Sequence, residues 1–167
     1  MPEKYVEDVS YPEKYAEAVS HIKKAEDALK TIKSYTEKEN AEKTTNILSQ
    51  IANYVMDAIA EAGLSSYFYY ELYPNMSLSC IDGVCKLYVR GKTSYAKYPV
   101  FCVSNDSGIK YYPTNHADIP SLIHYWKNFK EGLNDSIKRS VENRKAHIEK
   151  ELERIAEEQR IFASFEL

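Results

Sequence analysis

Apolar residues recur three or four apart at Tyr15, Val19, Ile22, Ala25, Leu29 and Ile32, the spacing that aligns side chains on one face of a helix. The pattern predicts a first helix over roughly 11–36. Ser10-Tyr-Pro-Glu13 has the spacing of a capping box, with Ser10 as N-cap and Glu13 reaching back. The polar stretch Ser34 to Thr45 is expected to hold a turn, with Asn40 as a cap. A second stripe (Ile47, Leu48, Ile51, Val55, Ala58, Ile59 and Ala62) predicts a helix over about 41–62. Its breadth marks it as the best buried of the helices. Gly63-Leu64 reads as a C-terminal cap with its hydrophobic contact. Together these elements predict an antiparallel helical hairpin over residues 1–64.

Residues 65–76 are dense in aromatics and end in a Pro-Asn turn signal, which suits a short strand or an irregular aromatic plug. The period then changes from helical to alternating. Ser77 to Ile81, Asp82-Gly83 and Val84 to Arg90 form a hairpin signal, because Asp-Gly supplies the positive backbone angles of a two-residue turn. A third strand is expected over 98–104, and Asn105 to Gly108 turns the chain into a short fourth at 109–113. Residues 65–118 thus read as an antiparallel β-module of three to four strands.

The last segment, 119–167, returns to a helical rhythm. Leu122, Trp126, Phe129, Leu133 and Ile137 share one face, and Val141, Ile148, Ile155 and Phe162 fall seven apart. Arg144, Glu151 and Glu158 at companion positions weaken a coiled-coil pattern. Gly132 and Asn134-Asp-Ser136 are a candidate break in this helix. The architecture expected is α+β: a helical hairpin and a long C-terminal helix form a three-helix bundle, with the β-meander inserted at one end. The stretch 119–133 would cover one face of the sheet.

Composition narrows the function classes. The 167 residues carry a net charge of −3, which argues against a histone-like condenser of nucleic acid. No apolar run approaches the length of a membrane span, and the charged N-terminus lacks the apolar core of a signal peptide. The chain is therefore expected to be soluble and cytoplasmic. Pro2 to Ser10 recurs as Pro12 to Ser20, a local duplication rather than a repeat array. Charge segregates: residues 1–76 sum to −5, 77–130 to +4 and 131–167 to −2. Tyrosine dominates the aromatics, with 15 copies against 5 Phe and 1 Trp, and it suits cores and binding surfaces alike.

Candidate chemistry is sparse. Cys80 and Cys85 flank the Asp82-Gly83 turn symmetrically, at a non-hydrogen-bonded pair where Cα atoms come within about 4.5 Å. They are a disulfide candidate, while Cys102 is expected to pack as a small apolar side chain. His116, Asp118 and His124 could converge on a metal, but no second cluster supports them, so neither metal nor cofactor is expected. His21 and His147 lie within amphipathic helices. No nucleophile elbow, phosphate loop or zinc-protease motif occurs, so the chain reads as non-catalytic.

The most informative stretch is 83–105, which contains no acidic residue but holds Lys86, Arg90, Lys92 and Lys97. Alternation puts Lys86, Tyr88 and Arg90 on one strand face, and Tyr95 and Tyr98 interleave the later lysines. Lys86, Tyr88, Arg90, Lys92, Tyr95 and Lys97 are the candidate partner-binding residues. Such a surface suits an acidic protein groove, where Tyr and Arg are frequent hot spots. It also suits single-stranded nucleic acid, whose bases stack on rings while cations meet phosphates. A third option is self-association into a homodimer through the C-terminal helix, residues 136–162; no membrane partner is expected.

Leu87-Tyr-Val-Arg90, Phe101-Cys-Val-Ser104 and Ile119 to Trp126 resemble scattered pieces of an SH2 domain, a likeness that implies Arg90 as a phosphotyrosine ligand. Arg90 and Leu122 are too close in sequence for that fold's central strands, so the likeness assigns no family. The leading expectation is a non-catalytic interaction module of inhibitor or adaptor type. Compact helix-rich chains of this kind are common among phage and viral proteins, by analogy only.

Overall fold

The computed structural model describes residues 2–167, with side chains from Glu13 onward. The order of elements is α1 (Pro2–Glu61), β1 (Tyr67–Leu72), β2 (Met76–Ile81), β3 (Val84–Arg90), β4 (Lys97–Ser104), β5 (Gly108–Tyr111) and α2 (Ile119–Ala163). The chain is α+β and divides into two compact units, Met1–Asn46 and Ile47–Leu167.

Among the described residues, two helices replace the three expected. The Ser34–Thr45 stretch does not turn; it continues α1. The physical reason lies in its composition. It holds no Gly or Pro and carries three Glu and two Lys, which favour a helix. Glu39 pairs with Lys43 one turn on, at 3.1 Å, and the Thr45 hydroxyl donates back to the Ala41 carbonyl. The polarity of this stretch marks a helix with a solvated surface and not a turn. Ser10, the expected N-cap, lies inside α1, and its side chain is outside the described residues. Among the described residues there is no helical hairpin, and the expected three-helix bundle lacks its third helix.

The C-terminal end of α1 follows the sequence closely. Gly63 has φ +68°, its N–H donates to Ala60, and the Leu64 N–H donates to Ile59. This paired closure is a Schellman motif, and buried Leu64 and Ile59 supply its hydrophobic contact. Arg144 Nη1 from α2 adds a hydrogen bond of 2.7 Å to the Gly63 carbonyl.

The sheet has five antiparallel strands in the order β1-β2-β3-β4-β5, so the three to four expected were too few. The additional strand is β1, within the aromatic stretch expected to be a short strand or an irregular plug. Asp82 and Gly83 both have positive φ, 52° and 83°, as a two-residue hairpin turn requires. The register pairs Ile81 with Val84 and Cys80 with Cys85, as the sequence predicted.

One face of the sheet is closed by helix. Phe68, Met76, Leu78, Cys80, Cys85, Leu87, Val89, Phe101 and Val103 are buried in one cluster with Leu48, Ile51, Val55 and Ile59 of α1 and Leu122, Phe129 and Leu133 of α2. Tyr54 meets Trp126 edge-on, and its hydroxyl donates to Asn134 at 2.8 Å. Contacts from Tyr54–Trp126 to Gly63–Arg144 advance along both helices together, so this part of α1 runs parallel to α2. The stretch 119–133 covers the sheet as expected.

No break occurs in α2 at Gly132–Ser136. Gly132 serves close approach instead: a Cβ there would sit 1.8 Å from the Tyr70 hydroxyl.

Candidate functional site: the open face of the sheet

Alternation along each strand sends every second residue away from the helices. β3 shows this most plainly. Cys85, Leu87 and Val89 are buried, while Val84, Lys86, Tyr88 and Arg90 are half-exposed. Register extends the second set into rows across the sheet. Tyr69, Ser79, Lys86, Cys102 and Lys110 form one row through all five strands. Glu71, Ser77, Tyr88 and Pro99 form the next, displaced by a bulge beside Leu87 and Tyr88. Tyr67, Ile81, Val84 and Ser104 form a third, at the Asp82-Gly83 end.

The six residues singled out from the sequence fall into two groups. Lys86, Tyr88 and Arg90 project from β3 on this open face, and Lys97 begins β4. Lys92 and Tyr95 lie in the exposed segment between those strands. The Arg90 guanidinium lies 5.8 Å from the centre of the Tyr95 ring, within cation–π range.

Two of the four cations are already engaged. Arg90 Nη2 is 3.3 Å from Asp118 Oδ2, while Asp118 Oδ1 accepts from the Ser121 N–H as the N-cap of α2. Lys97 Nζ is 2.8 Å from Glu71 Oε1 on β1. The Lys97 hydrogen bond, seconded by one from Tyr69, holds the Glu71 carboxyl below the usual carboxylate range. The same Tyr69–Glu71 bond raises the Tyr69 phenol above its ordinary value. Basic excess in the sequence therefore overstates the charge on this surface, because Asp118 and Glu71 lie outside the acid-free stretch and fold back onto it. Lys86 on β3 and Lys110 on β5 share a row two strands apart, about 10 Å at strand spacing.

Sequence reasoning missed Tyr67, Tyr69 and Glu71 on β1, and Lys110 on β5. The β1 signal was present: Phe68, Tyr70 and Leu72 alternate with Tyr67, Tyr69 and Glu71. Aromatic rings on both parities hid it.

The remaining candidates have structural surroundings. Cys80 and Cys85 are buried on the helix-covered face at disulfide distance, with Cα atoms 4.1 Å apart. Cys102 is free and half-buried in the Lys86 row. His116 stacks against Tyr98 and His124 meets Tyr125 edge-on. Among the described residues, no three His, Cys, Asp or Glu side chains converge as a metal site would require, and no helix is long and apolar enough to cross a membrane.

No family model, no curated protein and no solved structure matches this chain.

Proposed function

We propose that the chain is a non-catalytic protein-binding module whose contact surface is the open face of the sheet, centred on Lys86, Tyr88 and Arg90. One observation carries this reading: tyrosines share the face with cations of which half are neutralised within the chain. Tyr69 and Tyr88 occupy adjacent rows, and Tyr67 lies beyond them. Rings of this kind supply interface area with little loss of side-chain freedom, and arginine beside them is a frequent hot-spot companion. Ion pairs that absorb Arg90 and Lys97 reduce the attraction to a phosphate backbone, which depends on releasing counterions from uncompensated cations. That balance favours a protein partner over single-stranded nucleic acid. Lys86 and Lys110 give the partner an acidic bias.

The test compares the wild-type chain with a Lys86→Glu, Tyr88→Ala variant, each immobilised in nuclease-treated extract. The wild type is expected to retain a protein that the variant loses. Equal retention by the variant, or loss of all binding on nuclease treatment, overturns the reading.

A second reading draws on the distal half of α2. Val141, Ile148, Leu152, Ile155 and Phe162 are all 41% exposed or more along one side of that helix, which supports self-association there. Dimerisation that survives Ile155→Asp removes it.

A further inference from the structure

Every residue from Glu13 to Lys43 of α1 is exposed, yet this stretch is not uniformly polar. Ala18, Ile22, Ala25, Leu29 and Ile32 follow one another at intervals of four, three, four and three. That is the alternation of a coiled-coil seam, which winds two helices together along one apolar line. Ile22, Leu29 and Ile32 are 56%, 64% and 62% exposed. Three large aliphatic side chains in line on a solvated helix are a surface waiting for an apolar partner.

The order of sizes along the seam says what that partner is. Small and large alternate: Ala18, Ile22, Ala25, Leu29. Two copies aligned parallel and in register would set alanine against alanine and isoleucine against isoleucine. Voids would then alternate with crowded layers, and both are penalised in a packed interface. Two copies aligned antiparallel about a two-fold axis between residues 23 and 24 place Ala18 against Leu29 and Ile22 against Ala25. Each of these layers pairs a small side chain with a large one, and their arrangement is its own complement, as two-fold symmetry demands, with Ile32 lying beyond them. Antiparallel alignment also opposes the two helix dipoles. Charge does not resist the pairing, since residues 13–36 hold five basic and four acidic side chains. Tyr15 lies on the same side of the helix, outside the four positions on which the pairing rests.

We infer that residues 18–29 of α1 are a homodimerisation seam that joins two copies of this chain antiparallel. The inference is independent of the sheet face, which it leaves free. The seam spans only about 18 Å of helix, so the dimer is weak and depends on concentration.

The experiment uses the full-length chain in a Cys102→Ser background, with Ala18→Cys and Leu29→Cys prepared as separate variants. Under mild oxidation, the mixture of the two is expected to give a covalent dimer that neither variant gives alone. In sedimentation, the unmodified chain is expected to shift from monomer to dimer as concentration rises, and Ile22→Asp to abolish the shift with an unchanged circular dichroism spectrum in dilute solution. Ile155→Asp should leave the shift intact. A monomer at every concentration, a shift unaffected by Ile22→Asp, or a covalent dimer from either single-cysteine variant alone overturns the inference.

Discussion

The two faces of the sheet are made by the same five strands and differ in what alternates onto them. Leu78, Leu87 and Phe101 stand in one row on the helix side and are fully buried. One residue along, Ser79, Lys86 and Cys102 stand in a row on the other side and are half-exposed. The first row is closed by α1 and α2, and its chemistry is settled by packing. The second keeps a polar tip on an apolar body at position after position, which is how a surface stays hydrated alone and still offers area to a partner. The difference separates residues that hold the fold from residues free to act.

Substitution should expose that difference at full size. Phe101→Ala removes a completely buried ring and is expected to cost about 3–5 kcal/mol, whereas Tyr88→Ala, which loses only cross-strand pairing, should cost under about 1 kcal/mol. Urea unfolding measures both, and equal losses would erase the contrast between faces. Next in size is the cysteine pair on the covered side. Reduction is expected to lower stability by roughly 2 kcal/mol, the value for so short a closed loop, and to add the mass of two hydrogens; an unchanged mass would show free thiols.

Gly132→Ala probes the helix-to-sheet contact. Alanine favours a helix by about 1 kcal/mol over glycine, but its methyl would collide with Tyr70, so a net loss of about 1 kcal/mol is expected from overpacking. Tyr70→Phe should relieve part of that loss by deleting the nearest atom. A stabilised Gly132→Ala protein would contradict the close approach.

The smallest effect belongs to the open face. The folded state depresses the Glu71 pKa, so its contribution to stability is present above the unfolded carboxylate pKa and fades as pH falls through the folded one. Glu71→Gln should flatten that acid limb slightly while freeing Lys97. A pH–stability profile identical to wild type would show that the Lys97 pair contributes nothing measurable.

Much of this was legible in the chain. Gly63-Leu64 announced the end of α1, and Asp82-Gly83 fixed the hairpin register that brings Cys80 to Cys85. Alternation in 84–90 by itself separates the two faces. Three features escaped for physical reasons. Ser34–Thr45 is polar because its helix is solvated, and a helix without an apolar face leaves no periodic signal. β1 carried aromatics on both sides, which masks a period of two. Asp118 and Glu71 neutralise Arg90 and Lys97 from distant positions in the chain, and such long-range pairing has no local signature.

The claim that the open face carries the function is tested most directly by a photo-crosslinking amino acid placed at Tyr88 and, as a control, at the exposed His147 of α2. In nuclease-treated extract, position 88 should give a discrete protein adduct that position 147 does not. Adducts from position 147 alone, or none from position 88, would contradict the account.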